Sequence, residues 1–100
     1  MNELEKLKKA IADVTGVQFC EIADKTRERR VVYARMIYCF QRKNMGATSL
    51  KIAEEINHDH STVTYYCKTY ENDYKNNQLF RELAGKVTAC LEGFKEALNV

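Results

Sequence analysis

Residues 57–68 read NHDHSTVTYYCK. An acid, a histidine and two hydroxyls, Asp59-His60-Ser61-Thr62, stand just before an apolar rhythm of Val63, Tyr66, Cys67 and Tyr70. That rhythm has the three- and four-residue steps of an amphipathic helix. Upstream, Leu50, Ile52, Ala53 and Ile56 set the inner positions of another helix, capped by Thr48 or Ser49. Asn57-His58 between them is too short for anything but a tight turn, and Asn tolerates the left-handed conformation such a turn needs. The unit is a helix, a tight turn and a second helix that opens at Asp59 to Ser61.

The polar run has four readings. As a Ser-His-Asp triad it fails on geometry. The histidine of a triad bridges its two partners through opposite ring nitrogens, whereas neighbours on a helix point about 100° apart. As a metal site, His58-x-His60 lacks the i, i+4 spacing and the further ligands of helical zinc sites. As a cap, Asp59 or Ser61 accepts from the free N–H groups of the first turn, and an aspartate suits the helix dipole. Capping needs only one such residue, and the run supplies four. As the start of a recognition helix, short side chains that both donate and accept suit base edges in the major groove.

The rest of the chain agrees with a helical domain. One hundred residues make a single domain, 1–100, with no proline and only four glycines, too few for a fold rich in tight turns. Leu4, Leu7, Ile11 and Val14 mark a first helix from about Glu3 to Val14, stopped by Gly16. Val17 to Ala23 is a short second helix, and Asp24 to Glu28 a loop. Arg29 to about Lys43 is a third helix, with Val31, Val32, Arg35, Met36, Cys39 and Phe40 on its apolar side, ended by Asn44-Met45-Gly46-Ala47. A last helix over about Asn77 to Leu98 sets Phe80, Leu83, Val87, Cys90, Leu91, Phe94 and Leu98 close to a heptad rhythm. Packing of that stripe on the chain's own first helix is preferred to packing on a partner. Cys20, Cys39, Cys67 and Cys90 show no C-x-x-C spacing and lie in apolar patterns, so they read as buried, reduced thiols. No apolar run approaches the roughly 20 residues of a membrane span, and the charged N-terminus is unlike a signal peptide. A cytoplasmic location with no membrane partner follows as an expectation.

The net charge is only +2, but it is unevenly placed. Between Lys25 and Lys43 lie Lys25, Arg27, Arg29, Arg30, Arg35, Arg42 and Lys43 against Glu28 alone, so this segment carries +6 and the remainder −4. A concentration of this kind suits a polyanion. Together with the helix–turn–helix plan it points to a duplex DNA binder and not an enzyme. Four tyrosines, Tyr65, Tyr66, Tyr70 and Tyr74, also invite stacking on single-stranded bases, but their spacing makes them core or amphipathic surface first.

Asp59-His60-Ser61-Thr62-Val63 resembles the D-H-[ST]-T-V signature of the C-terminal DNA-binding domain of the bacterial replication initiator DnaA. The stretch from Lys25 to Arg35 resembles that family's Arg-rich loop and the long helix it enters, and Ser49-Leu50-Lys51-Ile52-Ala53 resembles the opening of its helix-turn-helix. The likeness covers about residues 3–95. It implies an all-α, Trp-repressor-like fold of about six helices and sequence-specific binding of double-stranded DNA. It further implies Arg27 in the minor groove, Arg29 in the same basic loop, and Arg35 on a phosphate or base edge. Asp59, His60 and Ser61 would read bases, Thr62 would touch a phosphate or a thymine methyl, and Lys68 the backbone. A role in replication initiation or its regulation, with a replication or regulatory protein as a further partner, belongs to the same implication.

Several positions depart from the family pattern. The turn is Asn57-His58, a residue shorter than usual and without the family's arginine. The opening of the helix-turn-helix is also a residue shorter. Met36 stands where a glutamine is common, and Ser61 lacks a threonine's methyl. The family's standard box sequence is therefore not assured as the target. No G-x-x-x-x-G-K-[ST] motif is present, so no nucleotide is expected; no cofactor is called for, and the weak His58-x-His60 spacing gives no metal site. The chain is either a fragment or a stand-alone DnaA-like module; the initial methionine and the immediate first helix favour the latter, from a phage, mobile element or bacterial genome. The alternative is a protein-interaction or dimerisation module that kept the fold and lost its reading of DNA.

Overall fold

The computed structural model describes residues 2–98, with side chains described through residue 93. Six helices and no strand lie among the described residues: α1 Glu3–Thr15, α2 Phe19–Ile22, α3 Arg29–Asn44, α4 Ser49–Ile56, α5 His60–Asn76 and α6 Gln78–Leu98. The all-α class, the order of the helices and their approximate bounds agree with the sequence reading.

Local chemistry sets the boundaries. The Asn2 side chain accepts from Glu5 N at 2.8 Å and starts α1, and Gly16 ends it in the left-handed conformation at φ 76°. Thr48 caps α4 by accepting from Lys51 N at 3.1 Å. Asn57 adopts φ 57°, ψ 45°, and the His58 N–H returns to Ala53 O at 3.0 Å. That pairing closes α4 and turns the chain directly into α5.

The third helix is central. It packs against α1, α2, α4 and α5, and α6 closes the other side by packing on α1 and α5. The sequence pattern gives α3 one broad apolar face. Instead Val31, Tyr33, Ala34, Arg35, Met36, Ile37, Tyr38 and Cys39 are all buried, so the middle of the helix is enclosed all round. Met36, where the family often has glutamine, is a core residue.

Aromatic contacts tie α3 to α5 and α6. Phe40 stacks on Tyr70 at 3.8 Å between centroids, and Phe80 meets both Tyr33 and Tyr70 edge-on at 5.2 Å. Burial raises the Tyr70 hydroxyl to about 12, aided by Tyr74. Tyr70 is therefore core, while Tyr65 and Tyr74 remain exposed.

The α6 stripe faces inward: Phe80 and Val87 are buried, and Leu83, Cys90 and Leu91 pack partly buried against the core. The side chains of Phe94 and Leu98 lie outside the described residues. Of the cysteines, Cys39 is buried and Cys67 and Cys90 are half-buried, but Cys20 is exposed on α2, against the expectation that all four are enclosed.

Candidate nucleic-acid interface

The basic stretch divides once its side chains are located. Arg27 and Arg29 are exposed and make no ion pair among the described residues; Arg30 reaches only Glu28, at 3.7 Å, in an exposed pair. Arg29 and Arg30 also occupy the first turn of α3, where the helix dipole is positive and the one acidic residue at the helix start is the N-cap Glu28. Positive charge gathers at this corner at some cost to the helix, which is the electrostatic condition for holding an anion.

Arg35 behaves differently. Its expected contact with a phosphate or base edge is corrected, because the residue is 1 % exposed. Nε donates to Ile22 O at 2.8 Å, Nη2 to Asp24 O at 2.7 Å and Glu21 O at 3.4 Å, and Nη1 to Thr26 O at 3.1 Å and the Tyr66 hydroxyl at 3.4 Å. Five N–H groups meet five acceptors, so the buried charge is fully hydrogen-bonded without a carboxylate. Two of these carbonyls, Glu21 and Ile22, lie at the C-terminal end of α2, where a cation is favoured. The Thr26 carbonyl belongs to the peptide that leads into Arg27. Arg35 thus fixes the backbone of the loop whose side chains face solvent.

Arg42 is also engaged within the fold. It grips Glu55 of α4 with Nε at 2.9 Å and Nη2 at 2.6 Å, and Tyr38 donates to the same carboxylate at 2.9 Å. Burial pushes the Glu55 carboxyl up, but hydrogen bonds from Arg42 and Tyr38 and the Arg42 charge outweigh it, and the net direction is down. This pair sets α4 against α3 and so fixes where the turn and α5 begin.

At the start of α5 the polar groups remain available. Asp59 is the residue before the helix, and its backbone carbonyl accepts from Thr62 N and Val63 N. Its carboxylate makes no cap bond, so of the two readings open for Asp59 the side-chain cap is not the one adopted. That carboxylate is 76 % exposed and lies 3.8 Å from His60 Nδ1, itself in solvent. Ser61 is exposed, and Thr62 sits half-buried on the flank. At about 100° per residue, Ser61, Thr64, Tyr65 and Lys68 share the outward face away from Val63 and Tyr70, and His60 stands at the flank of that face in the first turn. All five are exposed.

Thr64 and Tyr65, the latter 62 % exposed, therefore join residues 59–62 and Lys68 as candidates on this helix. The α5 periodicity itself carries that signal, once the outward face is counted as carefully as the inward one. Lys43 is a further addition. With Lys68, Ser49, Thr64, Cys67 and Glu71 it lines a shallow hollow beside the N-terminal end of α4.

The basic loop and the turn of the helix-turn-helix are joined. Lys25 Nζ donates to Asn57 O, and His58 Nε2 lies 3.1 Å from Asp24 O, the carbonyl that Arg35 also holds. A carbonyl only accepts, so His58 carries its proton on Nε2. Burial lowers the His58 pKa; the Asp24 hydrogen bond opposes this, and the Arg35 and Lys25 charges reinforce it.

Residues 4–69 match the family described as "Bacterial dnaA protein helix-turn-helix". The chain belongs to the bacterial DnaA helix-turn-helix family. It is 29 % identical over 91 residues, 89 % of its length, to the chromosomal replication initiator protein DnaA of Pseudothermotoga lettingae. It is 29 % identical over 90 residues, 88 % of its length, to that of Flavobacterium psychrophilum, and 30 % identical over 80 residues, 78 % of its length, to that of Porphyromonas gingivalis. The chain spans 20 %, 19 % and 17 % of those DnaA proteins, about a fifth of each. The DnaA family match covers α1 through most of α5, and so includes the basic loop and the outward face of α5.

Proposed function

We propose that this chain binds duplex DNA sequence-specifically as a two-point reader, with the start of α5 in the major groove and the loop before α3 in the adjacent minor groove. The observation that carries the reading is the exposed, uncommitted polar set at the head of α5, beside a loop whose arginines are exposed while its backbone is held. Asp59 accepts from an exposed base amine, and His60 and Ser61 donate or accept at base edges. Thr62 touches a phosphate or thymine methyl from its flank position. Lys68, with Lys43 across the hollow, holds the phosphate backbone. Arg27 enters the minor groove, and Arg29 adds phosphate contact at the same corner.

This is a binding module and not an enzyme. Family membership supports a role in replication initiation or its control, with the relatives named as chromosomal replication initiators. The alternative of a dimerisation module is less favoured, because the α6 stripe it needs packs on the chain's own core at Phe80, Ala84 and Val87.

Selection of duplexes from a random-sequence pool tests the reading. The wild type is expected to enrich one motif. His60→Ala is expected to lose preference at one or two adjacent positions, a change of about tenfold in discrimination there. Enrichment of an unchanged motif by His60→Ala removes α5 as the reading helix.

A further inference from the structure

The Asp24 carbonyl accepts from two side chains that belong to different parts of the interface. Arg35, from the middle of α3, reaches it at 2.7 Å, and His58, from the turn between α4 and α5, at 3.1 Å. Both lone pairs are thereby engaged. Around this atom the other bonds run the same way. Arg35 holds the Thr26 carbonyl just before Arg27 and touches Tyr66 on α5, while Lys25 of the loop donates to Asn57 of the turn. Loop 24–28 and the helix-turn-helix are therefore hydrogen-bonded to each other directly, over sequence separations of 32 and 34 residues.

We propose that His58 is a positioning residue for DNA recognition, joining the arginine loop to the turn through the Asp24 carbonyl so that Arg27 and the head of α5 engage the duplex in one fixed relation. This inference rests on the two-point reading above. Two contacts on neighbouring grooves give full affinity only when their spacing is set before binding; otherwise ordering the loop is charged against the contact. Arg35 provides the fixed end of the link from inside the core. His58 is half-buried and at the surface end, so it can be replaced without opening the core.

The test is a double-mutant cycle read by fluorescence anisotropy on a duplex selected by the wild-type chain, with thermal melting of each variant alongside. Arg27→Ala is expected to weaken binding about tenfold. His58→Ala is expected to weaken it three- to tenfold, and the double variant to be little weaker than Arg27→Ala alone. His58→Gln, whose amide N–H can occupy the place of Nε2–H, is expected to recover most of the loss. Additive losses, or a His58→Ala that binds like wild type, overturn the positioning role while leaving the two-point reading in place. An Arg27→Ala that binds like wild type, or a wild type that selects no motif, overturns that reading and this inference with it. A merely structural role for His58 would show as a lowered melting temperature with no coupling to Arg27, and that result also overturns the proposal.

Discussion

Arg27 and Arg29, in and just after the loop before α3, hold their guanidinium groups in solvent; Arg35 and Arg42, further into the same helix, have theirs enclosed by protein acceptors. All four come from one basic run. The outer pair is free to meet a partner. The inner pair builds the surface from which the outer pair acts, Arg35 by holding carbonyls at the end of α2 and in the loop after it and Arg42 by fixing Glu55 of α4. A concentration of positive charge is thus two things at once: its loop end and Lys43 are available as an electrostatic surface, and the guanidinium groups of Arg35 and Arg42 between them are not.

The largest effect that separates the pairs is on stability. Arg35→Ala removes one donor shared by four carbonyls and the Tyr66 hydroxyl, of which Asp24 O keeps His58 and Glu21 O keeps the Asp24 N–H, and is expected to cost about 3 kcal/mol or more. Urea unfolding measures it, and a loss under about 1 kcal/mol would mean that Arg35 is not the anchor its bonds make it. Arg35→Lys keeps the charge but cannot span the same acceptors, so it should recover less than half.

Glu55→Gln comes next, at about 1–2 kcal/mol at neutral pH, since the partly buried bidentate pair loses its charge and keeps its shape. The folded Glu55 pKa is depressed, so its contribution is present above the unfolded value of 4.5 and fades as pH falls through the folded one. Wild type and variant should therefore converge in acid, and a gap that stays constant down to pH 3 would assign the loss to packing.

Arg27→Ala should leave stability within about 0.5 kcal/mol and reduce the salt dependence of duplex binding by about one counterion. A large loss of stability instead would erase the contrast between outer and inner arginines.

The smallest effect concerns His58, which is kept below its usual range in the fold. The unfolded chain takes up its proton first as pH falls from 6.5, so stability should decline there. That slope should flatten in His58→Gln when melting is followed between pH 7 and pH 5.5, and an unchanged slope would place the titration elsewhere.

The fold was largely legible because helix periodicity and its stops are local. Gly16 and Asn57 mark their boundaries by tolerance of the left-handed backbone and Thr48 by its side-chain cap, and all three act as such. The site was legible in type and not in detail. Whether an arginine faces solvent depends on which carbonyls the fold brings around it, and Arg35 meets acceptors from residues 21 to 26 and from residue 66, which no local pattern reveals. Asp59 sits where a capping side chain is expected, yet its carboxylate is uncommitted and only its backbone serves the helix. Thr64 and Tyr65 were within reach of the sequence, since the same 3.6-residue period that buries Val63 turns them outward.

The most direct test of DNA reading is anisotropy of the chain against two labelled duplexes, one carrying the DnaA-family box or a motif selected by the chain and one scrambled, across a salt series. The account predicts tighter binding to the cognate duplex at every salt concentration, with affinity for both falling steeply as salt rises. Equal affinity for the two duplexes, or no binding to either at moderate salt, would contradict it.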